Sequence, residues 1–266
     1  MKKSLVICLC IAGSALAHDH AEVGVNPSNT NQLGILSPSL QWAVYVPRGE
    51  AFSGYAPDFP GAWFASELTF TTETEVLNPA PKADPEIELV SVIGPNEGSF
   101  SFWEAESIET TWTRPTGWIR TETDNPSETD NPSFPVILDG YPHAHGRIFS
   151  ANRPGDYQIT FRAKDKNSIF QSSPNHTITF RATLPPPLSI RLETNQAVIS
   201  FMGRVGFVYD TQVCTNLVDA HWTTFDTQNG PTNQVITNQV ITPLSHPRAF
   251  FRIVEYIGYI NTNSVP

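Results

Sequence analysis

Apolar and polar residues alternate with a period of two along residues 87–92, 156–163 and 176–182. That period places every second side chain on one face of an extended chain, so these segments are predicted as strands with one buried face. Weaker signals of the same kind predict strands at 41–46, 66–72, 99–103, 135–138, 190–193, 197–201, 206–211 and 221–226. Ile148 and Phe149 are read as opening a turn toward the strand that follows. Short strands separated by turn-rich connections predict an all-β protein, and they favour sandwiches over a closed barrel.

The sharpest break in the pattern is Leu184-Pro185-Pro186-Pro187. Consecutive prolines supply no backbone donors and stiffen the chain into an extended spacer. The predicted organisation is therefore two β-sandwich domains, the larger at 18–184 and the smaller at 188–260, joined by a linker at 185–187. Residues 121–133 carry Glu122, Asp124, Glu128 and Asp130 among Asn-Pro steps. They read as a surface loop, and the spacing lacks the central glycine of a calcium hand.

The N-terminal pattern predicts export of this β scaffold. Lys2 and Lys3, a short apolar run, and Ala15-Leu16-Ala17 have the three parts of a secretory signal, predicting a leader at 1–17. Its removal would take two lysines from the 16 basic residues and leave the 26 acidic ones, moving the formal net charge from −10 to −12. A nucleic-acid partner is excluded on that balance, and the mature chain is expected to have no membrane span. Expected localisation is secreted or periplasmic, including the cell surface. Of the 3 cysteines, Cys8 and Cys10 fall in the leader, so Cys214 remains alone and is read as buried and inert.

Candidate chemistry rests on histidine. Residues i and i+2 of an extended chain point the same way, so His143 and His145 of His143-Ala144-His145 would face one ion or else hydrogen-bond to neighbouring loops. Cleavage after Ala17 would expose His18-Asp19-His20. An amine, two amides and the His20 imidazole then suit square-planar Cu(II) or Ni(II), while the amine and imidazole of His18 offer a second chelate. The plainer reading is an incidental pair of histidines at a frayed terminus. His176, His221 and His246 are assigned no chemical role.

No enzymatic constellation stands out: the chain lacks a nucleophile elbow, a phosphate loop, a zinc-protease signature and a Cys-His pairing. Glu104 and Glu106 are paired carboxylates with nothing that sets them across a cleft. Trp103, Trp112 and Trp118 are read as packing residues before a sugar-stacking surface, and Trp222 and Phe250 as core.

Two resemblances complete the reading. The pieces His20-Ala21-Glu22-Val23-Gly24-Val25, Ile87 to Pro95, Gly98 to Trp103, and Gly140-Tyr141-Pro142-His143-Ala144-His145 through Gly155-Asp156-Tyr157 together resemble the bacterial surface-anchored (choice-of-anchor type) domain family. That family is in turn similar to secreted copper proteins of methane-oxidising bacteria, whose site uses histidines and an oxidised tryptophan. The resemblance implies His20, His143 and His145 as copper ligands. It does not locate the modified tryptophan, and Gly146-Arg147-Ile148 stands where many relatives carry one. The second region, from Gly206-Phe207-Val208-Tyr209 to Phe250-Phe251-Arg252-Ile253, resembles C-terminal β modules of secreted verrucomicrobial proteins, implying a packing or cell-surface role. The expected function is a non-enzymatic exported protein binding a transition metal, most plausibly copper, through His18, His20, His143 and His145. The alternative is a structural or adhesive cell-surface module without metal, with a surface protein or a glycan as partner.

Overall fold

A computed structural model of the protein describes residues 19–46, 48, 52, 56–73, 76, 83–121, 132–136, 146–184, 187–193, 196–204, 207–217, 221–230, 236–243 and 249–257. In chain order the strands are β1 (Asp19–Val25), β2 (Leu33–Leu36), β3 (Leu40–Val46), β4 (Trp63–Ser66), β5 (Leu68–Thr72), β6 (Pro85–Ile93), β7 (Ser99–Trp103), β8 (Trp112–Pro115) and β9 (Ser133–Pro135). They continue as β10 (Ile148–Ala151), β11 (Gly155–Asp165), β12 (His176–Thr183), β13 (Ser189–Glu193), β14 (Gln196–Gly203), β15 (Phe207–Cys214), β16 (Thr223–Asn229), β17 (Ile236–Pro243) and β18 (Phe250–Ile257). The fold is all-β. Among the described residues no helix is long and apolar enough to cross a membrane.

The strands form a nine-stranded sheet, ordered β8-β7-β10-β4-β3-β12-β11-β6-β9, and three sheets of three strands: β2-β1-β5, β13-β14-β17 and β16-β15-β18. Alternation generates the large sheet's inner face: Tyr157, Ile159, Phe161 and Ala163 of β11 are buried beside Ile178, Phe180 and Ala182 of β12. Val23, Leu33 and Phe70 of the β2-β1-β5 sheet join the same core. Its centre is aromatic, with Phe102 stacked on Phe134 at 4.4 Å and Phe100 against Phe180 at 4.9 Å. Tyr157 is fully buried and its hydroxyl donates to the Arg153 carbonyl at 3.1 Å, a corner of the kind that closes Greek-key turns in sandwiches.

A second core lies on the other face of the large sheet. Val44, Val46, Ala65, Trp103 and Ile148 pack there with Ala197, Ile199, Phe201, Phe207, Tyr209, Phe251 and Ile253. Strands β3, β4, β7 and β10 are thus covered on both faces. A strand buried on both faces reads as a continuous apolar run, not an alternating one. No described sheet draws strands from both sides of 185–187, so the second core joins the two regions through side chains alone.

Several expectations change. Ile148 and Phe149 begin no turn; they open β10, paired with Trp103 and Phe102 of β7. The strand predicted at 66–72 is divided at Glu67, where the chain leaves the nine-stranded sheet after Ser66 and enters the β2-β1-β5 sheet at Leu68. The strand placed at 135–138 sits earlier, at Ser133–Pro135, and residues 137 and 138 lie outside the described set. Strands β1, β2, β8, β17 and β18 carry no counterpart among the expected segments.

Candidate functional site

The predicted metal ligands separate into two groups. His20 lies on β1, in parallel register with Thr69 of β5, and is exposed. His18, His143 and His145 lie outside the described residues. Among the described residues, no group of three or more His, Cys, Asp or Glu side chains is placed to hold a metal ion. Arg147, just after His145, is 2% exposed: its Nε donates to Glu104 Oε2 at 2.9 Å and Nη1 to the Pro135 carbonyl at 2.6 Å. The guanidinium also lies 5.5 Å from the centre of the Phe134 ring. The position that departs from the copper-protein pattern is therefore a packing cation, and Glu104 is its counter-ion.

His176 opens β12 and shares a 2.7 Å hydrogen bond with Ser37, whose hydroxyl also donates to the Pro38 carbonyl at 3.2 Å. One hydroxyl proton cannot serve both. The two bonds coexist when His176 Nε2–H donates to Ser37 and Ser37 donates onward. Burial holds the imidazole below its usual pKa, consistent with that neutral tautomer. His176 thus supports Ser37 and does not withdraw its proton, although His176 lines a cleft of about 210 Å³ together with Val25, Asn26, Leu36 and Asn175.

Two of the six tryptophans are buried and the other four are partly exposed. Trp103 and Trp112 are 3% and 1% exposed. Trp103 Nε1 donates to Ser150 at 2.6 Å, and Phe59 and Trp63 meet its ring edgewise. Phe250 is buried as expected, whereas Trp222 is partly exposed and lies under Arg252 at 4.5 Å. Cys214 is buried at the end of β15, its thiol donating to the Asn216 carbonyl at 2.9 Å.

Trp42 marks the junction of the two regions. Its ring meets Phe207 edgewise at 5.1 Å, with the guanidinium carbons of Arg181 and Arg204 at 5.6 and 5.7 Å. Arg204 also bonds to Thr183 Oγ1 and the Leu184 carbonyl, the residues entering the proline linker. Its own backbone N–H donates to the Tyr209 hydroxyl at 2.6 Å, and that hydroxyl donates to Glu255 Oε1 at 2.9 Å. Arg204 Nη1 stands 3.6 Å from Glu255 Oε2. Burial pushes the Glu255 carboxyl up, against the pull of Arg204 and the Tyr209 bond. Burial, followed by the charge of Glu255, pushes the Tyr209 phenol up as well.

A second polar cluster covers the outer face of β6 and β11. Glu88 is fully buried, and its two oxygens accept from Arg120 Nε at 2.9 Å, Lys164 Nζ at 2.5 Å and Arg162 Nε at 2.8 Å, with Arg162 Nη2 closer still. Register puts Arg162 opposite Glu88 and Lys164 opposite Glu86. Neither this cluster nor the junction was anticipated. The available signal was a lone glutamate inside the apolar run of 87–92, facing basic residues at alternate positions of 162–166.

No protein-family model matches the chain, and comparison with curated proteins gives no match.

Proposed function

We propose that the chain is a non-enzymatic structural or adhesive module of an exported protein: two β-sandwich units held as one body by their shared core. The observation that carries this reading is the second core, where Val44, Val46, Trp103 and Ile148 pack with Phe201, Phe207, Tyr209 and Phe251 across the proline linker. A flexible pair of domains would place polar surface there. Here large apolar side chains fill the space, and Arg204 ties the linker entry to β18 through Glu255. The reading agrees with the expected secretory leader at 1–17 and with the packing or cell-surface role that the resemblance of the second region implies.

Copper binding stands as the competing reading, because His18, His143 and His145 lie outside the described residues. Untagged mature protein titrated with Cu(II) separates the two. A structural module leaves stoichiometric copper unbound, or holds it only at a His18-Asp19-His20 terminus and therefore identically in a His143→Ala/His145→Ala variant. One equivalent bound by the wild type and lost in that variant would establish the metal protein.

A further inference from the structure

We propose that the outer face of β6 and β11 binds an anionic polysaccharide through Arg120, Arg162, Lys164 and Lys166. The inference goes beyond the structural role, does not depend on the shared core, and rests on four observations.

First, among the described residues the face holds more positive charge than its carboxylates neutralise. Arg120, Arg162 and Lys164 converge on Glu88, and Lys166 pairs with Glu86 at 3.2 Å, so four cations meet two carboxylates. Second, Glu88 is saturated. Its two oxygens already accept from three side chains, and the remaining N–H groups of those cations must find acceptors elsewhere. Third, Arg120, whose side chain is only 10% exposed, keeps a buried Nη1 with no hydrogen-bond partner. An orphaned guanidinium N–H is costly unless an oxyanion approaches. Fourth, the outer cations are reachable. Arg162 and Lys164 are each 35% exposed and Lys166 is 47% exposed.

The shape of the array selects the occupant. Arg162 and Lys164 alternate on β11, with their side chains about 6.5–7 Å apart on the extended strand, and Lys166 follows in the turn just past the strand's end at Asp165. Two cations at strand spacing, continued by a third beyond the strand's end, match an extended polymer charged at repeated intervals better than a single small ion. Uronate carboxylates and sulfate esters supply the same chemistry: planar or tetrahedral oxyanions that accept from guanidinium and ammonium groups. The overall charge of −10 opposes polyanions in general, so retention would report this face and not the protein's mean field.

The test is retention of the untagged mature chain at low salt on immobilised alginate, immobilised dextran sulfate and neutral dextran. We expect retention on at least one charged matrix, none on neutral dextran, and release as salt rises. Alginate alone would identify uronate, and dextran sulfate alone sulfate ester. Lys164→Gln/Lys166→Gln should weaken binding about tenfold or more, the scale of one lost charge-assisted contact. Glu88→Gln, which removes the competing carboxylate, should bind equally or more tightly; thermal melts confirm that each variant is folded. No retention of wild type on either charged matrix, or retention unchanged by the double lysine substitution, overturns the proposal. Binding that appears only after Glu122, Asp124, Glu128 and Asp130 are all neutralised also overturns it, because the cations would then serve the chain's own acidic segment.

Discussion

Replacing Phe207 by alanine tests whether the two regions share their stability. Phe207 is 2% exposed, sits in the second core, meets Trp42 edgewise at 5.1 Å and lies 5.8 Å from the Arg204 guanidinium. Truncating a buried phenylalanine costs about 3–5 kcal/mol through lost transfer energy and the cavity left behind. The edge-on ring pair contributes about 0.5–1.5 kcal/mol of cooperative interaction that disappears with it, so the upper half of that range is expected. With a urea m value of about 2–3 kcal/mol/M, the unfolding midpoint should fall by about 1.3–2.5 M. Five of the six tryptophans, Trp42, Trp63, Trp103, Trp112 and Trp118, precede the proline linker, whereas Phe207 follows it. Tryptophan fluorescence therefore reports one region while the substitution strikes the other. A shared core predicts that the fluorescence midpoint moves by the full amount, coincident with far-ultraviolet circular dichroism. A fluorescence transition left at its wild-type midpoint while circular dichroism reveals an earlier second transition would refute the coupling.

Tyr157→Phe removes the bond to the Arg153 carbonyl while preserving the buried ring, and should lower unfolding free energy by about 0.5–1.5 kcal/mol in urea titrations. Glu255 has a raised carboxyl pKa, so the folded state holds its proton longer than the unfolded chain does. Its contribution is complete below the usual carboxylate range and lost as pH rises through the raised value; Glu255→Gln should flatten that decline in a plot of melting temperature against pH. Asp165 behaves oppositely. Burial opposes its ionisation, but backbone N–H bonds from Asp84, Phe170, Asn167 and Ile169 prevail and hold the carboxyl below its usual value. Its stabilisation is present above the ordinary carboxylate pKa and disappears as pH falls through the lowered one, so Asp165→Asn should be destabilised near neutrality and show a shallower acid limb.

The alternating strands were legible because each buries one face. Tyr157, Ile159 and Phe161 announce β11, and Ile178 and Phe180 announce β12, by period alone. Strands β4 and β10 were obscured by the second core. Phe64 and Phe149 face one cluster while Ala65 and Ile148 face the other, which erases the alternation. The break at Glu67 was hidden because the flanking residues of β4 and β5 read as one run; only pairing assigns them to different sheets. The histidine pattern at 18, 20, 143 and 145 was visible as spacing, but spacing says nothing about convergence. The charged clusters needed register: Arg162 meets Glu88 because β11 runs antiparallel to β6, and Arg204 reaches Leu184 and Glu255 only through the tertiary fold.

Scanning calorimetry of the mature chain, with and without one equivalent of Cu(II), tests the central claim most directly. Two units fused through one core and stabilised without metal should give a single endotherm whose calorimetric and van't Hoff enthalpies agree. Copper should leave its midpoint unchanged, since an ion that does not bind the folded state in preference to the unfolded chain cannot shift it. Two separable endotherms, or a midpoint that rises with stoichiometric copper and returns to the metal-free value in His143→Ala/His145→Ala, would contradict the account.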